Sequence, residues 1–186
     1  DVRDYLFDAL DQVLTQYPVS FVKWDHNRDL MVRASRGQVL GVYELMDRLR
    51  HAHPDVEIES CASGGARIDL EMARHVHRFW TSDTNDPLVR QRIQRWTGVL
   101  LPPEYLGAHV GDARSHTTGR TSSLSFRLAT ALFLHAGIES DLTRVTTADR
   151  EALTRWAQYY RARRELLHTG TVVRADVADA DVLVHG

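Results

Sequence analysis

Only one cysteine, Cys61, stands in this chain, so an internal disulfide is excluded and the fold has to rest on apolar packing. Net charge is equally scarce. The 23 basic and 25 acidic side chains leave −2, which offers no broad attraction to nucleic acid or to an anionic membrane. No stretch approaches the roughly 18 consecutive apolar residues of a membrane span, and no signal-peptide pattern opens the chain. Repeats and low-complexity segments are missing too. The first residue is Asp1 rather than methionine, as in an excised or processed segment. These absences lead us to expect a cytoplasmic domain with no nucleic-acid and no membrane partner. What is there is ordinary: 186 residues, 43% apolar and 26% charged, enough for one real hydrophobic core.

Apolar periodicity divides the chain into alternating elements. Val2, Tyr5, Leu6, Ala9, Leu10, Val13 and Leu14 recur at helical spacing, predicting a helix over 1–16 that stops before Pro18. A β-branched and aromatic run at 19–24 reads as a strand, a polar stretch at 28–38 with Arg33, Arg36 and Gly37 as a loop, and 39–50 as a helix. The same reading gives strands at 56–59, 76–81, 105–110 and 137–142, with helices over 68–74 and 122–135. Asp86-Pro87 predicts a helix start, an N-cap acid before a proline at the first helical position, with Val89, Ile93, Trp96 and Leu100 as its apolar stripe. Thr147 is expected to cap a long helix to residue 167, after which 169–185 changes to period-two alternation.

Five β/α alternations predict a parallel sheet with right-handed crossovers. A closed (β/α)8 barrel needs eight strands and about 250 residues. The expected fold class is therefore α/β, a partial (β/α)8 TIM barrel made of its later strands and helices. Residues 1–168 would form that portion, and 169–186 would begin a C-terminal β-sandwich domain. A five-stranded open sheet of flavodoxin type is the competing architecture.

Two strands end in functional groups. Lys23-Trp24-Asp25-His26-Asn27-Arg28 closes the first, and Trp80-Thr81-Ser82-Asp83 closes the third. In parallel α/β folds the rim beyond the carboxyl ends of the strands is where ligands bind. Asp25 and Asp83 there suit a nucleophile and an acid/base, which retaining glycosidases hold about 5–5.5 Å apart and inverting ones roughly 6.5–9.5 Å apart. Lys23 shares a strand face with Asp25, and a cation so placed would keep that carboxyl ionised. An aspartate ending a strand is also an ordinary loop or helix cap.

With Glu59-Ser60-Cys61-Ala62-Ser63-Gly64-Gly65 lying between them, these motifs resemble the catalytic-barrel signatures of glycoside hydrolase family 36, the α-galactosidases. The resemblance extends along nearly the whole chain, through Ile138-Glu139-Ser140-Asp141-Leu142 to Val184-His185-Gly186. It implies retaining hydrolysis of α-galactoside oligosaccharides such as raffinose and melibiose by double displacement, with neither metal nor organic cofactor. It implies Asp25 as nucleophile and Asp83 as general acid/base. Lys23 and Asn27 would bind sugar hydroxyls, Trp24 would shape the pocket beside the nucleophile, and Cys61 and Gly64 would approach the 2-hydroxyl region. A homo-oligomer, in this family a tetramer, is implied as well. The aspartates that grip the 4- and 6-hydroxyls in that family lie on an earlier strand with no counterpart here, so this chain alone is expected to be inactive. For the same reason an α-N-acetylgalactosaminidase, a transglycosylating raffinose-family synthase and a non-catalytic carbohydrate-binding fragment stay open.

Three other chemistries compete. Cys61 could be a thiol nucleophile, although no histidine is marked as its base. His75 and His77, with His51, His53 and His109, could supply metal ligands, but the first two precede their strand and should lie at the stable end of a barrel. Ser63-Gly64-Gly65-Ala66-Arg67 could cradle a phosphate, without the lysine or glycine spacing that such loops use.

Overall fold

The computed structural model describes residues 1–29, 35–179 and 182–186. They form two compact units, Asp1–Thr81 and Ser82–Gly186.

The first unit opens with α1 (Val2–Gln16), capped by the Asp1 carboxylate, which accepts from the Arg3 and Asp4 amides at 2.7 and 3.2 Å. Strands β1 (Phe21–Trp24), β2 (Glu57–Ser60) and β3 (Arg78–Trp80) pair in that order, all parallel. Between them run α2 (Ser35–Ala52) and the single turn α3 (Met72–His75). The helix expected to begin at residue 39 therefore begins at Ser35 and takes in Arg36 and Gly37 from the predicted loop; Arg33 lies outside the described residues. Leu45, Met46 and Leu49 of α2 pack into a core with Ile58, Met72, Val76 and Phe79. The α1 stripe is less buried than its periodicity suggests, with Val2, Tyr5, Leu6 and Val13 exposed. Polar ties join α1 to α2 and to the residue just after it instead: Arg48 to Asp4 at 3.0 Å, the Arg48 guanidinium 4.2 Å over the Phe7 ring, and His53 to Asp11 at 2.8 Å.

The second unit contains α4 (Pro87–Leu100), β4 (Leu106–Val110), α5 (Leu124–Ala131), β5 (His135–Ile138) and α6 (Thr147–Thr169), and β4 and β5 pair in parallel. Asp86 caps α4 and Pro87 is its first residue, as Asp86-Pro87 predicts. The face of α4 differs from expectation. Trp96 is 69% exposed, while Arg90 is buried and donates to the Gly107 carbonyl at 3.0 Å. A guanidinium that satisfies backbone carbonyls can occupy a slot that polarity alone would leave to solvent.

Strand β5 also lies earlier than the predicted 137–142. The Tyr160 hydroxyl of α6 donates to the Leu134 carbonyl at 2.7 Å and accepts from the Ala136 amide at 3.1 Å, which sets the chain into extended form directly after α5. The cap of α6 is Thr146, one residue before the predicted Thr147, and its hydroxyl accepts from the Asp149 amide at 3.1 Å. The alternation after residue 169 yields a small antiparallel pair, β6 (Arg174–Ala175) with β7 (Val184–His185). No helix among the described residues is long and apolar enough to cross a membrane.

Candidate active site

Parallel pairing puts the carboxyl ends of β1, β2 and β3 on one rim of the first unit's sheet. Asp25 follows β1 directly, Cys61 follows β2, and β3 ends at the same rim with Trp80, three residues before Asp83, which belongs to the second unit. Hydrogen bonding continues past β1 and β2: the Cys61 amide donates to the Trp24 carbonyl at 2.9 Å and the His26 amide to the Cys61 carbonyl at 3.1 Å. This extension fixes the backbone on both sides of Asp25.

The Asp25 carboxylate is held by its nearest neighbours. One oxygen accepts from the His26 amide at 2.8 Å and the other from the Asn27 side-chain amide at 2.8 Å. Partial burial works against its charge. Hydrogen bonds from Cys61, Asn27 and His26, with Lys23 contributing last, outweigh that and hold the carboxyl below its ordinary value. Lys23 acts in the expected direction, while the donors touching the oxygens contribute more than a cation two residues away. Its ammonium also sits 4.4 Å over the buried Trp80 ring.

Asn27 works on both sides. Its carbonyl oxygen accepts from the Ser63 amide at 2.9 Å while its NH2 group serves Asp25, so the carboxylate is tied to the glycine turn after β2. Ser63 has φ 45° and Gly64 φ 78°, a left-handed turn that glycine takes without strain. At Gly65 a Cβ would stand 2.7 Å from the Thr81 carbonyl oxygen, so only glycine lets this turn approach the end of β3 so closely.

Cys61 is 1% exposed. Burial first, and then its bond to Asp25, push the thiol up to about 11, the opposite of what a thiolate nucleophile needs. Cys61 is therefore a neutral donor toward Asp25. Trp24 points the other way: with Leu10, Leu14, Val22 and Leu49 it lines a small hollow on the helix side of the sheet, opposite Lys23 and Asp25. This differs from the expectation that its indole shapes a pocket beside the nucleophile; the rim receives only its carbonyl.

Arg67 was not singled out by the sequence as a member of this rim. Its guanidinium donates to the Ser60 hydroxyl at 3.0 Å and to the Trp24 and Cys61 carbonyls at 2.9 Å each, strapping the ends of β1 and β2 together under Asp25. A cleft of about 550 Å3 opens beside this corner, lined by Asn27, Tyr43, Ser63, Arg67 and Asp69 among others. The only sequence signal for Arg67 was its place just after the glycine turn.

The competing chemistries lose their residues to other tasks. His77 Nδ1 accepts from the Ile58 amide at 2.9 Å, and His75 bonds Asp47 at 2.9 Å while stacking on Tyr43. Among the described residues no group of three or more His, Cys, Asp or Glu side chains could hold a metal ion. The glycine turn leads into a helix of only four residues, too short to present an anion-binding terminus.

A parallel α/β sheet with a locally fixed carboxylate at the end of a strand places an acidic group where such folds bind ligands. Known relatives narrow the class. The Melibiase family model matches residues 1–170, and the chain belongs to that family. It is 43% identical over 189 residues to an α-galactosidase of Escherichia coli, covering 98% of this chain and 27% of that protein. To the α-galactosidase AgaA of Geobacillus stearothermophilus it is 32% identical, covering 94% of this chain and 26% of that one. The crystal structure of AgaA, a glycoside hydrolase family 36 enzyme, matches with a TM-score of 0.89 over 96% of this chain and 26% of its own, at 32% identity. A variant of AgaA solved in complex with raffinose matches with a TM-score of 0.88 at 31% identity. The fold is accordingly a partial (β/α)8 barrel. The chain spans about a quarter of the length of the curated relatives it matches.

Proposed function

We propose that this chain is part of the catalytic barrel of a retaining α-galactosidase. The single observation that supports this best is the state of Asp25: ionised below the ordinary carboxylate range, bonded through both oxygens, and still exposed at the rim. In the proposed reaction the Asp25 carboxylate attacks the anomeric carbon and forms a galactosyl ester. The glycosidic bond breaks, and the leaving oxygen takes the proton of Asp83. Asp83, now a carboxylate, accepts a proton from water, whose oxygen attacks the same carbon and releases galactose and free Asp25. Lys23, Asn27, Cys61 and Gly64 are proposed to meet the sugar hydroxyls. Raffinose, a ligand of the AgaA variant, and melibiose are the proposed substrates. A cytoplasmic homo-oligomer completes the proposal.

The test is an assay of the whole polypeptide on an aryl α-galactoside, with the N-acetylgalactosaminide and the α-glucoside as controls. Hydrolysis of the galactoside alone is the expected result. Turnover of only the N-acetylgalactosaminide, or transfer to sucrose in place of water, would overturn it.

A further inference from the structure

Asp86 is fully buried, and its two oxygens have different tasks. Oδ1 accepts from the Leu88 and Val89 amides at 3.0 and 3.5 Å and so starts α4. Oδ2 accepts from the Thr118 hydroxyl at 2.6 Å and from Arg120 Nη1 at 2.5 Å, both on the loop that follows β4. Starting a helix needs only the first task, and a serine or threonine would do it without burying a charge. A buried carboxylate is costly unless paired, so the second oxygen and its guanidinium serve something beyond the cap.

That something lies within three residues. The segment from Ser82 to Asp86, which contains Asp83, is tied at several points within the second unit. Buried Arg90 donates to the Ser82 carbonyl at 3.2 Å. The Thr84 hydroxyl bonds the Thr117 hydroxyl at 2.7 Å. Asn85 packs so closely on Gly111 that a Cβ there would meet the Asn85 Cβ at 2.9 Å. The loop after β4 thus grips the segment at Thr84 and Asp86, on the C-terminal side of Asp83.

We propose that Thr118 and Arg120, acting through the inner oxygen of Asp86, form a latch that positions Asp83, and that all three are positioning residues for its proton transfer. The inference rests on the α-galactosidase reading given above and adds a part to it.

The variant that separates latch from cap is Asp86→Asn. It keeps an acceptor for the Leu88 and Val89 amides but turns an NH2 group toward Thr118 and Arg120. This variant, Thr118→Val, Arg120→Ala and Arg120→Lys are compared in the whole polypeptide by kcat/KM on melibiose and on 4-nitrophenyl α-galactoside. The nitrophenolate leaves with little help from an acid, whereas the sugar alcohol of melibiose needs its proton. The expected result is a loss on melibiose about ten-fold greater than on the aryl substrate, with part of it restored by lysine at position 120. Equal losses on both substrates, or no loss, overturn the proposal.

If the wild-type polypeptide cleaves neither substrate, the α-galactosidase reading fails, and the latch is then read by hydrogen exchange. Arg120→Ala should speed exchange of the Leu88 and Val89 amides about ten-fold while α6 keeps its protection. Unchanged exchange at those amides overturns the latch.

Discussion

The segments around Asp25 and Asp83 are tied into the fold by different sets of residues. Asp25 is gripped at the carboxylate itself by His26, Asn27 and Cys61, the first two being its next neighbours in the chain. The Asp83 segment is held through its flanks, by Arg90 at Ser82, Thr117 at Thr84, and Thr118 and Arg120 at Asp86. Direct donors lock a carboxylate in its charged form, which suits a group that must stay ionised to attack. Ties on either side of Asp83 fix the backbone that carries it, which suits a group that must pass a proton to and from one place. The difference in wiring matches the difference in proposed roles.

The largest expected effect tests the directly held residue. Asp25→Asn in the whole polypeptide should abolish turnover and, in mass spectra of enzyme trapped with an activated fluoro-galactoside, the covalent adduct; a retained adduct breaks the comparison at its first side. Next comes Asp83→Ala, whose loss of kcat/KM on melibiose should reach roughly 100-fold or more, with aryl substrates far less affected. Equal losses on the two substrates would remove Asp83 from the acid's role.

Arg67→Met should destabilise the chain by about 2–4 kcal/mol, because three bonded acceptors at the ends of β1 and β2 lose their donor. Urea midpoints measure this, and a change under 1 kcal/mol would mean that the strap is dispensable. Asn27→Ala sharpens the comparison through pH. The Asp25 pKa is depressed in the fold, so its charge persists below the ordinary carboxylate range and is lost only as pH falls through that lowered value. Removing the Asn27 donor should move the acid limb of kcat/KM upward, toward the ordinary carboxylate value, while Thr118→Val should leave that limb in place. The smallest effect concerns Cys61, whose thiol, raised to about 11, should resist alkylation at pH 8 in the folded chain and react readily in denaturant.

What could be read from residues alone was local. Asp86-Pro87 starts a helix by its own chemistry, the β/α alternation follows from periodicity, and Lys23-Trp24-Asp25 ends a strand because apolar residues stop there. Trp24 shows the limit of carrying roles over by resemblance: the family likeness implied a pocket wall, yet strand alternation sends the ring to the helix side. Arg90 shows a limit of periodicity too: a charged residue outside the apolar stripe of its helix fills a buried slot because two carbonyls await it. The start of β5 depended on Tyr160, which lies 22 positions beyond the end of that strand.

Order along the chain therefore determined the succession of elements, the strand ends that bear Asp25 and Asp83, and the family to which the motifs point. Only tertiary structure decided which donors reach the Asp25 carboxylate, that Cys61 stays a thiol, and that Asp86 divides its two oxygens between a helix and a distant loop. The physical reason is range. Periodicity and capping act over a few residues, whereas hydrogen-bond partners and burial are assigned by segments that meet only once the chain has folded.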